Sequence, residues 1–296
     1  MLISASRRTD IPAFYAPWLM NRLREGYCKV PNPFNAHQVQ RISLMPEEVE
    51  VIIFWTRHPR ALFPYLEEME RRGYRFYFQY TLLDYPSSLD RDNPPYKAKI
   101  AAFQELSSRL GPERVVWRYD PIVLTSATPA TFHLEAFERI TAELQGYTRR
   151  VVVSLLTPYK KIQGRMQALE QQGVSLYPTY DIGDPRLGDF LRSLVEIAQR
   201  RGLQITSCAS ELDFSPFGIQ PGKCIDDELI ERLFGIDVSH LKDPGQREVC
   251  GCVTSKDIGM YDSCLFGCQY CYATTSFSRA HSNHARHDPC SPTQIG

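Results

Sequence analysis

The chain has 296 residues, of which 43% are hydrophobic, and its 34 basic side chains balance its 34 acidic ones. This length is enough for one large α/β domain or two small ones with a substantial core. The formal net charge of zero gives no global electrostatic argument for nucleic-acid binding. No apolar run approaches the length of a membrane span, so we expect no membrane partner.

Nine cysteines are distributed very unevenly along the chain. Only Cys28 lies in the first two-thirds, and the other eight follow from Cys208 onward. The first residues lack the order and length of a signal peptide, so we predict a cytoplasmic protein whose thiols stay reduced. Clustered cysteines in such a protein indicate metal or redox chemistry rather than a disulfide framework.

Short apolar runs alternate with longer amphipathic stretches through the first two-thirds of the chain. The apolar runs predict six strands, at Leu2–Ser6, Val51–Trp55, Arg75–Leu83, Val115–Leu124, Arg150–Leu156 and Leu203–Cys208. The amphipathic stretches predict helices at Phe14–Glu25, Arg60–Arg72, Lys97–Leu110, Pro129–Leu144, a segment ending near Gln172, and Arg186–Arg201. A hairpin is expected within Gly26–Leu44, and Thr157-Pro158 is expected to end the fifth strand.

Strands that alternate with helices predict a parallel sheet with right-handed crossovers. We expect a partial (β/α)6 TIM-like barrel over residues 1–207, although periodicity alone leaves an open doubly wound sheet possible. Residues 208–296 are expected to form a cysteine-rich metal-binding segment, with one short helix at Asp226–Phe234 and a loop at Glu211–Gly222. This irregular segment should fold back over the C-terminal ends of the strands, where such folds carry their catalytic groups.

Three cysteines near the end of the chain, Cys264, Cys268 and Cys271, are spaced C-x3-C-x2-C, and Tyr270 precedes the third. Three thiolates in so short a loop are suited to three corners of a [4Fe–4S] cluster. Since such a cluster normally takes four cysteines, one iron would stay open for a ligand. The alternatives are half of a structural zinc site, or buried free thiols.

A second set of cysteines, Cys208, Cys224, Cys250 and Cys252, lies just upstream. Four thiolates suit a second [4Fe–4S] cluster or a tetrahedral zinc ion, and their spacing does not separate the two. Alternatively Cys208 is a buried core thiol and the others line a loop. Cys28 and Cys290 are isolated and are expected not to bind a metal.

Polar residues follow several predicted strands, where this fold class places function. Arg7 and Arg8 are suited to bind a carboxylate or phosphate, although a surface charge pair is the alternative. Arg118 and Asp120 point to the same side of a strand and should form an ion pair or address a polar ligand. The candidate catalytic residues are Arg7, Asp10, Arg118 and Asp120. The candidate cofactor-binding residues are Arg8, Thr56, Arg57, Tyr270 and Ser154. The histidines His281, His284 and His287 are expected to lie in a solvated tail.

Three stretches carry a resemblance to a known family: Ser4–Pro12, Phe54–Arg57 and Cys250–Cys271. Together they resemble an uncharacterised bacterial family, domain of unknown function 1848. That family is noted for a C-terminal cysteine cluster similar to the N-terminal one of radical S-adenosylmethionine (radical SAM) enzymes. A weaker similarity links Arg118–Pro121 to spore photoproduct lyase-like radical SAM proteins.

The resemblance implies that Cys264, Cys268 and Cys271 ligate a [4Fe–4S] cluster that also binds S-adenosylmethionine. Such an enzyme would receive an electron from a donor such as flavodoxin or ferredoxin. It would then generate a 5′-deoxyadenosyl radical that acts on an unknown substrate, a small molecule or a nucleic acid. The sequence departs from the usual layout because its cysteine loop is C-terminal, and Trp55-Thr56-Arg57 stands where a glycine-rich segment is usual.

Two other functions fit the same residues. In the first, both cysteine sets hold structural zinc in a binding or regulatory module. In the second, a barrel hydrolase or lyase acts through Arg7, Asp10, Arg118 and Asp120, and its cysteines are structural.

Overall fold

A computed structural model describes residues 1–157, 159–177 and 183–296. Pro158, expected at the end of the fifth strand, lies outside these ranges. The strands are β1 Leu2–Ala5, β2 Tyr27–Asn32, β3 Asn35–Ser43, β4 Val51–Thr56, β5 Phe76–Thr81, β6 Val115–Ile122, β7 Arg150–Leu155, β8 Gln204–Cys208, β9 Gln220–Gly222 and β10 Lys256–Asp257. The α-helices are α1 Ile11–Phe14, α2 Ala16–Glu25, α3 Leu66–Arg71, α4 Tyr96–Leu110, α5 Ala130–Glu143, α6 Gln163–Gln171, α7 Pro185–Arg200, α8 Asp227–Phe234 and α9 Phe277–Ala285. Short 3-10 helices cover Pro59–Tyr65, Pro112–Arg114, Lys160–Ile162 and Ser215–Phe217.

Eight of these strands form one parallel sheet, in the order β10-β1-β4-β5-β6-β7-β8-β9. All six predicted strands are confirmed, and they lie side by side in chain order. The predicted hairpin is the antiparallel pair β2-β3. In the described part of the chain the sheet does not close into a barrel, since β10 and β9 are its two edges. The protein is therefore a mixed α/β fold built on a large parallel sheet.

The strands read as nearly continuous apolar runs because both faces of the sheet are buried. In β4, Ile52 and Phe54 point into one hydrophobic cluster, whereas Val51 and Ile53 point into another. Successive strand residues face opposite sides, so this parity assigns each side chain to a face. The first cluster contains the apolar sides of helices such as α2, α4, α5 and α7.

The C-terminal part of the chain supplies the cover for the second face. Ile225, together with Leu229 and Ile230 of α8, packs against the apolar residues of that face. The helix begins where the Asp226 carboxylate accepts the Leu229 N–H, and it ends at Gly235 with φ 64°. The predicted helix at 226–234 is thus confirmed, and it leaves Cys224 next to the carboxyl ends of the strands.

The two outermost strands were not predicted, and the loop expected at Glu211–Gly222 contains one of them. Strand β9 pairs with β8, and β10 pairs with β1 at the opposite edge. Between Gly222 and Lys256 the chain therefore crosses from one edge of the sheet to the other. Strands of two or three residues are too short to show an apolar alternation, so only their tertiary pairing defines them.

The expectation of a solvated histidine tail is wrong for two of its three residues. Residues 277–285 form α9, and His281 is exposed on it. The rings of His284 and His287, however, pack edge-on against Tyr15 with centroids 5.4 and 4.8 Å away. The tail is therefore a packed part of the molecule. Among the described residues, no helix has the length and apolar character needed to cross a membrane.

Candidate functional site

A cavity of about 440 Å³ opens at the carboxyl ends of the strands. Every residue that the sequence singled out as catalytic, cofactor-binding or metal-binding lines it. These residues are Arg7, Arg8, Asp10, Thr56, Arg57, Arg118, Asp120, Ser154, Cys208, Cys224, Cys250, Cys252, Cys264, Cys268, Tyr270 and Cys271. Both cysteine sets therefore border the same space as the polar strand ends.

The cysteine loop, residues 264–271, reaches one side of this cavity. Cys268 is 7% exposed, and Asn93 donates an N–H to its sulfur at 3.6 Å. Burial raises the pKa of the Cys268 thiol to about 12, and the nearby Arg57 opposes that shift. The loop turns at Gly267, whose φ of +65° would strain a residue with a Cβ atom.

A buried network ties this loop to the end of β4. Arg57 Nη1 lies 2.8 Å from Asp90 Oδ2 and 2.9 Å from Asn93 Oδ1, and Nη2 donates to the Tyr270 hydroxyl. That hydroxyl donates in turn to Asp90 Oδ1 at 2.5 Å. Burial raises the pKa of Tyr270 well above its usual range, so the phenol stays protonated and keeps this bond. Arg57 and Tyr270 thus fix the loop beside Cys268.

Asp10, expected to be catalytic, accepts hydrogen bonds from two backbone N–H groups. Its two carboxylate oxygens accept the Arg57 N–H at 2.6 Å and the Ala13 N–H at 3.0 Å. Burial raises the pKa of Asp10 to about 6, although the hydrogen bond from the Arg57 N–H lowers it in part. The carboxylate therefore joins the end of β1 to the end of β4 and caps α1.

Arg7 and Arg8 do not form an exposed charge pair, since their side chains are only 15% and 22% exposed. Arg7 Nη2 donates to Ser255 Oγ at 2.8 Å and lies 3.6 Å from Asp243. Its Nε and Nη1 atoms are buried and have no hydrogen-bond partner among the described residues, and the same holds for Thr9 Oγ1. Unpaired buried donors are costly, so this corner of the cavity is suited to a ligand with acceptor atoms.

Arg118 and Asp120 form the ion pair expected from their spacing. Asp120 also accepts the hydroxyl of Ser154 on the neighbouring strand β7. Arg118 Nη1 lies 2.7 Å from Cys224 Sγ and 3.3 Å from Gln79 Oε1. Its guanidinium therefore connects the polar strand ends to the second cysteine set.

The second cysteine set is a chain of neighbouring sulfur atoms. Cys208 Sγ and Cys224 Sγ are 3.1 Å apart, and Cys252 Sγ accepts the backbone N–H of Cys224 at 3.3 Å. Hydrogen bonding from Cys252 lowers the pKa of Cys250 to about 7. Among the described residues, no group of three or more His, Cys, Asp or Glu side chains is arranged to hold a metal ion.

Two further residues organise the site and were not predicted. Arg165 on α6 donates to the carbonyl oxygens of Gln269 at 2.7 Å and Thr274 at 2.6 Å, and also to that of Cys271. Asp257 on β10 accepts four hydrogen bonds, from Ser4 Oγ, Ser6 Oγ, Arg7 N and Gly259 N. Asp257 lies in the stretch that carries the family resemblance, and this position was the feature of the sequence that could have indicated its role. No such feature of the sequence indicated a role for Arg165.

The family to which this chain belongs is described as domain of unknown function (DUF1848), and its profile matches residues 2–273. The match includes all of the strand ends and both cysteine sets. No curated protein matches the chain.

Proposed function

We propose that this protein is a radical SAM-type enzyme whose [4Fe–4S] cluster is held by Cys264, Cys268 and Cys271. The observation that carries the proposal is that three thiols of one short loop line the same cavity as Arg7 and Arg57, two largely buried arginines. A cavity of about 440 Å³ is within the range of cofactor sites, which is roughly 300–1,000 Å³.

The donor set of the loop fits such a cluster. Soft thiolate ligands select iron–sulfur centres, zinc and copper(I) over harder cations. Three cysteines, rather than four, leave one iron able to bind the amino and carboxylate groups of S-adenosylmethionine. Arg57, which interacts electrostatically with Cys268, would offset part of the negative charge that the thiolates bring into a buried site.

When bound and reduced, this cofactor pair supplies a 5′-deoxyadenosyl radical that abstracts a hydrogen atom from a substrate. The chain's own residues would hold the loop and position the substrate. Tyr270 and Arg57 anchor the loop from the β4 side, and Arg165 clamps three of its neighbouring carbonyl groups from α6. The loop is thus held from two directions.

Arg7 would bind an anionic group of a molecule in the cavity. Its Nε and Nη1 atoms are free to donate, and an arginine bonds strongly to a carboxylate or phosphate. Arg8 and Thr56 also line the cavity. The Arg118–Asp120 pair with Ser154 would orient a polar part of the substrate.

We also propose a partial barrel in which the six central strands, in chain order, curve around the segment that follows Cys208. That segment covers the second face of the sheet through α8 and lines the cavity at the strand ends. A one-electron donor such as flavodoxin or ferredoxin in the cytoplasm would reduce the cluster.

Anaerobic reconstitution with iron and sulfide tests the proposal. Wild-type protein should gain about four iron atoms at the loop, together with the broad visible absorbance of an iron–sulfur cluster. Cys268→Ala should lose the loop cluster, whereas Cys290→Ala, which changes an exposed thiol outside the cavity, should keep it. Stoichiometric zinc without iron would favour the structural zinc module. A reconstituted protein that hydrolyses substrates without S-adenosylmethionine would favour the hydrolase.

A further inference from the structure

We infer that Cys208, Cys224, Cys250 and Cys252 form a separate tetrathiolate site for a thiophilic metal centre, zinc or iron–sulfur. The site does not depend on the cysteine loop. Three of its sulfur atoms, those of Cys224, Cys250 and Cys252, belong to the hydrophobic cluster on the second face of the sheet, with Cys208 packed against it. The loop cysteines belong to or pack against the first cluster.

Three separate parts of the chain bring these sulfur atoms together. Cys208 ends β8, Cys224 lies between β9 and α8, and the Cys250–Cys252 pair precedes β10. The separation of 3.1 Å between the Cys208 and Cys224 sulfur atoms is well above a disulfide bond of about 2 Å. Zinc–sulfur bonds of about 2.3 Å in a tetrahedron place sulfurs about 3.8 Å apart. The Cys208 and Cys224 sulfurs would therefore need to separate by less than an ångström to bind the same metal.

The hydrogen bonds at this set would support metal-bound thiolates. Cys252 Sγ accepts two backbone N–H groups, from Cys224 at 3.3 Å and from Ile225 at 3.4 Å. The Arg118 guanidinium donates to Cys224 Sγ at 2.7 Å. Apolar packing alone would not place three donors on two buried sulfur atoms, whereas metal-bound thiolates are commonly supported in this way.

The charges around the set also suit a metal thiolate centre. Four thiolates with a divalent zinc ion carry a net charge of −2, as they do with an oxidised [4Fe–4S] cluster, whose core is 2+. Arg118, which contacts Cys224, and Arg7, which interacts with Cys252 and Cys224, bring two positive charges. Asp120 pairs with Arg118 and Asp243 with Arg7. The two arginines therefore offset only part of the negative charge of the thiolates and their metal.

The segment that carries Cys250 and Cys252 has almost no regular secondary structure. From Gly235 to Ser255 the described chain contains one isolated β-bridge, Lys242 to Val253, and no helix or strand. Segments of this length without secondary structure are uncommon in compact domains. A metal bound by Cys250 and Cys252 on this segment and by Cys208 and Cys224 outside it would stabilise it directly.

Metal analysis of three matched variants tests the inference. A loop variant carries Cys264→Ser, Cys268→Ser and Cys271→Ser; a second-set variant carries Cys208→Ser and Cys252→Ser; a control carries Cys28→Ser and Cys290→Ser. Each is purified without oxygen, and its zinc and iron are measured by mass spectrometry before and after reconstitution with iron and sulfide. We expect the loop variant to retain about one zinc or about four irons per chain and the control to match wild type. The second-set variant should lose that metal.

Zinc remaining in the loop variant would identify a zinc centre at the second set, and iron with sulfide would identify an iron–sulfur centre. A loop variant without bound metal would overturn the inference, as would a second-set variant with wild-type metal content. So would a Cys208–Cys224 disulfide in anaerobically purified protein, detected by alkylation. If the second-set variant does not fold, the folded loop variant is stripped of metal with a chelator, and cobalt(II) added to it should give thiolate-to-cobalt absorbance. Its absence would equally contradict the site. A wild-type protein that binds metal at the second set but none at the loop would refute only the function proposed above.

Discussion

Arg57 and Asp90 form an ion pair at the centre of the site, with side chains 11% and 1% exposed. Removing one partner of a buried pair leaves the other charge uncompensated, at a cost of about 3–5 kcal/mol. We predict that Arg57→Gln lowers the free energy of unfolding in urea by about that amount. The exposed pair of Arg24 and Glu68 provides the control, because Arg24→Gln should cost no more than about 1 kcal/mol. Equal losses in the two variants would contradict the prediction.

His133 on α5, far from the cysteines, should make the free energy of unfolding depend on pH. It is fully buried between the Tyr119 hydroxyl and the Val123 carbonyl, and burial lowers its pKa from 6.5 to about 4. Because the folded pKa is depressed, its contribution is present above pH 6.5 and is lost as the pH falls toward 4. We predict a loss of about 3 kcal/mol over this window.

The measurement is urea unfolding from pH 7.5 to 4 of wild type and of His133→Gln, which does not titrate there. The variant should be less stable at pH 7.5, and the difference between the two proteins should shrink as the pH falls. A constant difference across the range would show that His133 is not buried in its neutral form.

For individual residues, the sequence predicts the contacts that follow from local geometry. Arg118 and Asp120 are two residues apart on a strand, so their side chains share a face and pair. Arg165 could not be predicted, because its partners lie about a hundred residues later and are backbone carbonyls, which any residue carries. The hydrogen bond from the Arg57 N–H to Asp10 was equally hidden, since every residue other than proline carries a backbone N–H and this donor leaves no signal in the sequence.

Among the elements, β10 and the turn after it hold the C-terminal segment against β1. A Cβ atom at Gly259 would lie 2.1 Å from Ser6 Oγ and 2.5 Å from Ser6 Cβ, so the two segments would have to separate. We predict that Gly259→Ala lowers the free energy of unfolding by about 1–3 kcal/mol through overpacking. It should also speed hydrogen exchange in 255–275 while leaving β4 to β7 unchanged.

Gly164 on α6 provides the matched control, because it is helical and a Cβ atom added there would meet no atom within 4 Å among the described residues beyond its chain neighbours and nearby helix backbone. Gly164→Ala should be neutral or stabilising by up to about 1 kcal/mol. If Gly259→Ala is also neutral and leaves exchange unchanged, β10 does not anchor the segment as described.

The predictability of the elements follows their length and burial. The six central strands are buried on both faces and therefore appear as unmistakable apolar runs. Strand β9, Gln220–Gly222, and strand β10, Lys256–Asp257, carry no such run and exist because β8 and β1 offer free edges. Helix α9 was missed because its sequence is polar: it buries Ala280, and its His284 ring packs edge-on against Tyr15.

For the molecule as a whole, the chain after β8 crosses from one edge of the sheet to the other and brings six cysteines to the strand ends, where Cys208 at the end of β8 already lies. The spacing of the cysteines indicated metal chemistry, and the parallel sheet indicated which end of the strands to inspect. That the two meet in one cavity depends on long-range packing, through contacts such as Asp257 with Ser4 and Tyr272 with the Arg7 carbonyl.

Reductive cleavage of S-adenosylmethionine tests the central proposal most directly. Protein reconstituted without oxygen and reduced with dithionite should form 5′-deoxyadenosine, measured by liquid chromatography and mass spectrometry. Cys268→Ala should form none, and Cys290→Ala should match wild type. A wild-type protein that carries a complete [4Fe–4S] cluster on the loop and still forms no 5′-deoxyadenosine would contradict the assignment of this site to radical SAM chemistry.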